Sequence, residues 1–392
     1  MRALVFVAAL LACDKGEKKA PTDPPSVQAK PAPISVAPPS LAPSDGSDVQ
    51  WDTDYPNCPR DKGPRKTAAK LIGTDGRIVP HERGYVWHYR RPKEHAMQLF
   101  DADGNHLEKI PGALIPTSVI SFDDVSWYVA PCEKGTCDAR GFGHELQRVD
   151  RSTGKSEVVF GPEPAFVFGQ PHGDYFYWAT ASTDTKTGDL RRVPRRGTKV
   201  ETIWSGHGVA SVILSNNIAF LADQHALFAV PLDGGKPREL VSGLKDARGI
   251  ALDKDRVYVV DRGDAENDGR ILAVNQSGGN VASLATGLRL PTVVAVDTDG
   301  QRIFFMGDRS GDVWAMRRDG SNPAVLIPAP SADWSCHASR WLHADRTGLR
   351  WVRMNSDSKR GGLFMIDRSM LADPVKQWQQ YVQHGSGAQA AP

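Results

Sequence analysis

The 392-residue sequence predicts an all-β fold built from a repeated unit, on three observations. A pair of short strands joined by a turn rich in Gly, Asp or Pro recurs along the chain. A strand rich in aromatic and β-branched residues precedes each copy of that pair. No segment between residues 60 and 370 keeps the 3.6-residue period of an amphipathic helix, which excludes regular α/β alternation. Together these observations favour a single β-propeller whose blades are four-stranded antiparallel sheets.

The repeated pair has seven copies, of which the last is truncated. Successive copies begin 49, 44, 37, 44, 42 and 50 residues apart, close to the repeat length of propeller blades. This count favours seven blades over six or eight. The copies begin at Met97, Leu146, Leu190, Leu227, Ile271, Val313 and Leu363.

The strands that precede the copies complete each blade. Dipeptides such as Asp103-Gly104 and Asp319-Gly320 predict two-residue turns that join neighbouring strands as β-hairpins. A further strand precedes some of the aromatic ones, at 249–253 and 293–297. The aromatic strands are predicted at residues 85–87, 125–129, 175–178, 218–221, 257–260, 303–306 and 349–352.

The residue pattern of these strands resembles that of a known class of propellers. An aromatic strand that ends in Asp or a small residue, as in VYVVD and YFYWAT, is followed by an I-x-A-V or I-x-A-L strand and a glycine turn. This pattern resembles the YWTD and NHL propellers and the bacterial lipoproteins built on them, over about residues 70 to 369. The resemblance implies the fold, but propellers host binding, scaffolding and catalysis alike.

The N-terminus is predicted to direct the protein to the cell envelope. Arg2 precedes an apolar stretch over residues 3–11, which is typical of a signal peptide and too short to span a bilayer. Residues 10–13, Leu-Leu-Ala-Cys, resemble a bacterial lipobox. The resemblance implies cleavage before Cys13 and lipidation of its thiol, so that the acyl chains anchor the protein. The alternative is an ordinary secretory peptide with an incidental cysteine.

A proline-rich segment follows the predicted lipidation site. Residues 14–50 contain eight prolines and no aromatic residue, so they cannot bury enough apolar surface to fold and are expected to form an extended stalk. Asp14 resembles an inner-membrane retention signal of some bacteria, and the choice of membrane stays open. The predicted organisation is a signal peptide (1–12), a lipidated cysteine and stalk (13–50), a propeller (51–370) and a C-terminal tail (371–392).

Four further cysteines suggest disulfides. An even number outside the cytoplasm allows two bridges in three possible pairings. Cys132 and Cys137 flank one short loop, so a local bridge is easy, which leaves Cys58 with Cys336. The second bridge would join the two ends of the propeller and remove about 4 to 5 kcal/mol of unfolded-state entropy. A metal site using Cys336, His337 and His343 is the competing reading, although no Cys-x-x-Cys pair accompanies them.

The composition of the chain excludes some classes of function. A net charge of +2 argues against nucleic acid or a polybasic membrane patch. The loops between second and third strands are long and charged, so we expect the binding surface on that face. In one of them Asp264, Glu266 and Asp268 alternate as in the first half of a calcium loop, but Leu272 and Asn275 stand where the second half needs ligands.

The expected function is non-catalytic binding in the cell envelope. No complete catalytic constellation is present, so no catalytic residue and no cofactor other than a possible Ca²⁺ is predicted. The partners are expected to be the membrane, through the lipid, and an envelope protein or glycan, bound by a monomer in the periplasm or at the cell surface. The alternative is a metal-dependent hydrolase, lactonase or lyase with its site at the propeller axis, and a quinone-dependent dehydrogenase is the third possibility.

Overall fold

The computed structural model of the protein describes the following residues: 76–81, 84–91, 94–101, 106–109, 117–131, 145–161, 166–180, 187–297, 299, 301–307, 312–327, 338–346, 348–354 and 361–371. All of them belong to the larger of two compact units of the chain, residues 33–392. Cys13, Cys58, Cys132, Cys137 and Cys336 lie outside the described residues. The lipidation, the disulfides and the domain boundaries therefore remain predictions.

The described chain is almost entirely β-structure, with one four-residue helix, α1 (Arg368–Leu371). The strands, in chain order, are β1 (Gly76–His81), β2 (Gly84–Arg91), β3 (Glu94–Asp101), β4 (His106–Lys109), β5 (Thr117–Phe122), β6 (Ser126–Pro131), β7 (Leu146–Asp150), β8 (Ser156–Phe160), β9 (Phe166–His172), β10 (Tyr175–Thr180), β11 (Thr187–Pro194), β12 (Glu201–His207), β13 (Val209–Ser215), β14 (Ile218–Asp223), β15 (Leu227–Pro231), β16 (Arg238–Val241), β17 (Ala247–Leu252), β18 (Arg256–Asp261), β19 (Gly269–Asn275), β20 (Ala282–Leu288), β21 (Pro291–Val296), β22 (Arg302–Gly307), β23 (Val313–Arg317), β24 (Ala324–Ile327), β25 (Ala338–Ala344), β26 (Gly348–Met354) and β27 (Gly361–Asp367).

These strands form antiparallel meanders that follow one another along the chain. The described residues give six four-stranded sheets, β1–β4 to β21–β24, and a three-stranded sheet, β25–β27, which we number blades 1 to 7. The first strand of each blade packs against the first strand of the next, from β1 with β5 through to β21 with β25. Innermost strands that contact in sequence are the signature of a propeller, so the predicted all-β propeller fold is confirmed. The total of seven blades stays a prediction.

The aromatic strands predicted from the sequence are the second strands of the blades. In β10, β14, β18 and β22 every residue after the first is buried, because both faces of these sheets pack against neighbouring blades. Between blades 4 and 5, for example, Phe220 and Leu227 share one apolar cluster with Val257 and Leu272. The tryptophans at 127, 178, 204 and 351 are buried, as expected for residues that pack between sheets.

Of the two predicted hairpin turns, Asp103-Gly104 lies outside the described residues and Asp319-Gly320 differs from the structure. Asp319-Gly320 does not form a two-residue hairpin, because β23 ends at Arg317 and β24 begins at Ala324, with a β-turn closed by the Gly320 N–H and the Arg317 carbonyl. A two-residue turn occurs instead between β13 and β14. Its residues, Asn216 and Asn217, have φ of 48° and 59°, the left-handed values that a type I′ turn requires.

The loops between second and third strands are expected to be long, and in blade 1 the expected loop covers residues 90–95, but the structure shows that it is largely strand. Arg90 pairs with His95 and Arg91 with Glu94 in the β2–β3 ladder, so only residues 92 and 93 connect the two strands. The connection between β14 and β15 is also short, at residues 224–226. The face that carries the second-to-third-strand connections, which we call the long-loop face, therefore has long loops at some blades only.

Arginines join neighbouring blades at the face opposite the long loops. There, an arginine that directly follows the third strand of one blade pairs with an aspartate that follows the first strand of the preceding blade. In blade 7 this arginine is also the first residue of α1. We call each such pair an arginine latch. Among the described residues the latches are Arg195 with Asp123, Arg318 with Asp253, and Arg368 with Asp297.

A second kind of latch uses backbone carbonyls. Here a guanidinium on one blade donates to carbonyl oxygens in the third-to-fourth-strand connection of the next blade. Arg148 donates in this way to Pro194 and Arg195, Arg192 donates to Leu232, and Arg238 donates to Gln276 and Ser277. With both kinds counted, each pair of neighbouring blades from 2 to 7 is joined by at least one arginine.

The latch between blades 5 and 6 also contains a tyrosine. The Tyr258 hydroxyl donates to Asp253 Oδ2 at 2.6 Å, and Arg318 Nε lies 2.6 Å from the same oxygen. The Asp255 and Arg256 backbone N–H groups donate to Asp253 Oδ1. Burial, followed by the hydrogen bond with Asp253, raises the pKa of Tyr258 to about 12.

Replacement of Tyr258 by phenylalanine is expected to change stability at high pH. Because the folded pKa lies above the unfolded value of about 10, Tyr258 stabilises the fold fully below pH 10 and loses roughly 2 to 3 kcal/mol of that contribution by pH 12. Urea unfolding between pH 8 and 12 should therefore show a smaller alkaline loss in Tyr258→Phe than in the parent. Tyr175→Phe is the control, and an equal loss in both variants would contradict the assignment. Blade 6 already carries Phe304 at the equivalent strand position.

No helix in the described part of the chain is long and apolar enough to cross a membrane.

Candidate functional site

Exposed and half-exposed polar residues form a continuous strip on the long-loop face of blades 3 to 6. Each of these residues ends or follows a second or fourth strand, or lies at the start of the next first strand, so the blades hold their backbones. We call this set the polar strip, and its members are His207, Gln224, His225, Lys245, Asp246, Arg248, Arg262, Asp264, Glu266 and Arg289.

Contacts between blades make the strip continuous. The rings of His207 in blade 3 and His225 in blade 4 lie 5.3 Å apart, at 86° to each other. The loop of blade 4 then bonds to the connection that enters blade 5, because Leu244 N–H donates to the His225 carbonyl and Ala247 N–H to the Gln224 carbonyl.

The same kind of backbone contact extends the strip across blades 5 and 6. Arg262 N–H donates to the Asp246 carbonyl, and Leu290 N–H donates to the Glu266 carbonyl. Adjacent loops are thus bonded to one another through their backbones, and their side chains present one surface.

Asp261, the last residue of β18, supports the centre of the strip from below. Its carboxylate is fully buried. Oδ1 accepts hydrogen bonds from the backbone N–H groups of Lys245 and Asp246, each at 3.0 Å, and Gly263 N–H lies 3.4 Å away. Oδ2 accepts from Arg270 Nε at 2.8 Å. One buried carboxylate therefore fixes both the connection from blade 4 and the loop of blade 5.

Two further residues shape this region. Asp223, at the end of β14, is buried and accepts the backbone N–H groups of His225 and Ala226, so it holds the blade 4 loop as Asp261 holds the blade 5 loop. Gly263 has φ of 79°, and a Cβ there would lie 2.7 Å from backbone atoms of Asp268. Only glycine therefore allows the blade 5 loop to fold back on itself.

The charges of the strip are paired at the surface. Arg248 Nη2 lies 2.8 Å from Asp246 Oδ2, and Arg262 Nη1 lies 3.8 Å from the same oxygen. Arg289 Nη2 lies 2.5 Å from Glu266 Oε1. Exposed pairs of this kind contribute little to stability, so a ligand can replace one partner at small cost. The strip can therefore offer guanidinium donors and carboxylate acceptors to a polar partner.

The predicted calcium candidates already have protein partners. Asp264 Oδ2 lies 3.3 Å from Lys245 Nζ, Glu266 is paired with Arg289, and Asp268 Oδ2 accepts the Asp264 N–H at 3.3 Å. Two of the three carboxylates thus form ion pairs, and the third accepts a hydrogen bond within its own loop. Calcium binding there remains a prediction.

Within the described ranges, no group of three or more His, Cys, Asp or Glu side chains is placed to hold a metal ion. His207 and His225 come together as a pair, and the sequence contains no spacing signal that could have indicated it. His343, the third member of the competing Cys336 and His337 site, lies in β25 with Asp345 Oδ2 3.6 Å from its Nε2. The other two members lie outside the described residues.

The described loops of the long-loop face carry charged residues, as the sequence predicts, and the binding role of this face stays a prediction. The two buried aspartates beneath the loops were not predicted. The sequence shows Asp261 and Asp223 only as the last residues of aromatic strands. The role of Asp261 depends on its contacts with the connection from blade 4, at Lys245 and Asp246, which the sequence does not show. Asp223 bonds to His225 and Ala226 of its own loop. A strand that ends in aspartate and leads into a loop was the available signal.

Comparisons with known proteins bear on the fold. The chain matches no protein-family model, and a search of curated proteins finds no similar sequence. Among solved structures, an oligogalacturonate lyase from Vibrio parahaemolyticus is similar, with 10% identity over 77% of this chain and 92% of that chain and a TM-score of 0.51. A chain of a nidogen/laminin complex has 16% identity over 56% and 90%, with a TM-score of 0.42. TolB from Acinetobacter baumannii has 14% identity over 74% and 79%, with a TM-score of 0.38. At 10% identity the likeness to the lyase shows the β-propeller fold alone.

Proposed function

We propose that the protein is a lipid-anchored, extracytoplasmic β-propeller that binds a protein or glycan of the bacterial cell envelope without catalysing a reaction. The lipobox-like residues that end at Cys13 and the proline-rich segment after them support an anchored protein. The polar strip supports a binding surface on the face of the propeller that carries the longer loops.

The difference between the two faces is the observation that carries this proposal. At the opposite face, arginines such as Arg195 and Arg318 are engaged in latches with buried aspartates of the preceding blade. On the long-loop face, the buried carboxylates of Asp223 and Asp261 bond to backbone N–H groups of the loops, and exposed side chains such as Arg248 and Asp246 pair at the surface. Surface pairs such as Arg248 with Asp246 can exchange partners without loss of the fold. Loops on a rigid scaffold that present such groups are typical binding sites.

A site-specific cross-linking experiment in the native host tests the proposal. A photoreactive residue replaces Lys245 in the strip of the full chain, and in a matched variant it replaces Lys155, which is exposed on the opposite face. We expect one discrete envelope partner to be captured from position 245 and not from position 155. A glycan partner would instead make the protein sediment with purified cell-wall sacculi, and Arg248→Glu should reduce that fraction at least fivefold.

Two results would contradict the proposal. Equal capture from positions 245 and 155, together with no sedimentation, would remove the strip as a binding surface. Cys13→Ala should move the protein from the membrane fraction to the soluble fraction, and its retention on membranes would remove the lipid anchor. A stoichiometric metal in the purified protein, with turnover of a glycan or lactone, would favour the alternative of a metal-dependent hydrolase, lactonase or lyase.

A further inference from the structure

A groove of about 410 Å³ lies between blades 4 and 5, at the outer side of the propeller. This volume is within the range of sites that bind small ligands and peptide segments. The last strand of blade 4 forms one wall, and the third and fourth strands of blade 5 form the other. The lining residues are 239–243, Arg270, Leu272, Val281 and Ser283.

The wall from blade 4 is a free sheet edge. Strand β16 pairs with β15 only and is the last strand of its sheet, so the other side of its backbone has no neighbouring strand among the described residues. An exposed strand edge is a template for an extended peptide, which adds to the sheet through main-chain hydrogen bonds. Leu240 and Val241 of β16 and Leu272 from β19 are buried and supply an apolar floor.

A guanidinium lies at one end of the groove. Arg270 Nε donates to Asp261, and Arg270 Nη2 donates to the Gly243 carbonyl at 3.1 Å. Its third nitrogen, Nη1, has no partner within the described part of the chain. Because the buried carboxylate of Asp261 holds the guanidinium in place, the free N–H groups can meet an anion without further ordering of the side chain.

A carboxylate lies at the other end. Glu239 is exposed, and within the described ranges it makes no ion pair or side-chain hydrogen bond. Glu239 and Gly243, whose carbonyl oxygen Arg270 contacts, are four positions apart in the sequence. Because β16 ends at Val241 and Gly243 has a φ of 68°, this segment spans less than the roughly 13 Å of four fully extended residues. The groove thus combines a free strand edge, an apolar floor, an anion-binding end and a cation-binding end.

We propose that this groove binds a short extended peptide that carries a cationic side chain and a carboxylate no more than about four residues apart. The peptide would lie beside β16, with its cation against Glu239 and its carboxylate against Arg270. The groove is separate from the polar strip, so this inference goes beyond the proposed function and stands without it.

Peptide titration of the purified full chain tests the inference. The probes are fluorescently labelled, end-blocked peptides with the sequences Lys-Thr-Val-Thr-Glu and Glu-Thr-Val-Thr-Lys, which cover both strand orientations, and Gln-Thr-Val-Thr-Gln as the uncharged control. We expect one of the charged peptides to bind at least tenfold more tightly than the control by fluorescence anisotropy. Equal affinity of all three peptides, or no binding at millimolar concentration, would overturn the inference.

A charge-reversal variant tests whether the peptide binds in the groove. Glu239→Lys should weaken binding of the preferred peptide at least tenfold and should bind Glu-Thr-Val-Thr-Glu more tightly than the parent does. Because Glu239 is exposed, the variant is expected to keep the fold, which circular dichroism verifies. Asp233→Lys, an exposed change in the same blade outside the groove lining, is the matched control and should leave both affinities unchanged. An unchanged affinity in Glu239→Lys would place the peptide elsewhere.

Discussion

Asp261→Ala is expected to lower the free energy of unfolding by about 3 to 5 kcal/mol, the largest effect of any single polar substitution that we predict. The change removes the acceptor of the backbone N–H groups of Lys245 and Asp246 and the buried counter-charge of Arg270. The backbone groups would be left without partners beneath the loops, while Arg270 could turn toward water because its side chain is about one third exposed. The polar strip should therefore lose its order together with the stability.

Urea unfolding at pH 7 measures this loss, and hydrogen exchange of the Lys245 and Asp246 amides reports the local effect. Asp264→Ala removes an exposed carboxylate from the same loop and is expected to change stability by less than about 0.5 kcal/mol. Asp261→Asn keeps an acceptor oxygen and should fall between the two. A loss below about 1 kcal/mol in Asp261→Ala would show that Asp261 does not support the loops.

Arg318→Met is expected to cost about 2 to 3 kcal/mol at pH 7. The substitution keeps an unbranched apolar stem but leaves the buried Asp253 carboxylate with only Tyr258 and backbone donors. Breaking a fully buried ion pair costs about 3 to 5 kcal/mol. The cost expected here is lower because the Arg318 side chain is partly exposed. The interface between blades 5 and 6 should weaken while the strip on the other face stays intact.

The same variant should be more sensitive to acid. Burial by itself raises the pKa of Asp253, but the hydrogen bonds from Tyr258 and the backbone, together with the charge of Arg318, lower it below its usual value overall. A lowered folded pKa gives stability that is present above the unfolded pKa of about 3.9 and is lost as the pH falls through the folded pKa. Without Arg318 the folded pKa rises, so acid unfolding should begin at a higher pH than in the parent. Lys254→Met, an exposed change in the same turn, should leave the acid midpoint unchanged.

The fold was predictable because its signal is local and repeated. Strands such as β10 and β18 are buried on both faces, so aromatic and β-branched residues run without interruption through them, and the same run recurs in each blade. Connection lengths were predicted less well, since a Gly-containing pair suits several turns. The Asp319-Gly320 pair lies within a longer connection, and the tight turn uses Asn216-Asn217 instead.

For the candidate site, the sequence predicted only the face of the propeller on which it lies. Which loops touch depends on pairs such as His207 with His225, whose approach is decided by how neighbouring blades pack. The latches were missed for the same reason, because Arg318 and Asp253 are 65 residues apart and neither lies in a recognisable motif. From the sequence such charged residues are expected to be exposed to solvent, but in the fold the next blade covers them and they join the two blades.

The arginine latches have a consequence for how such a chain can change in evolution. Their partners lie between 38 and 72 residues apart, and each described latch joins consecutive blades only. A gene duplication of blade 6 would place Asp297 beside a copy of Arg318 and complete the new junction, whereas a duplication of blade 5 would place Asp253 beside a copy of Gln276 and leave it without an arginine. Because each described latch joins consecutive blades only, the latches constrain which blades can be neighbours and not how many blades the ring contains.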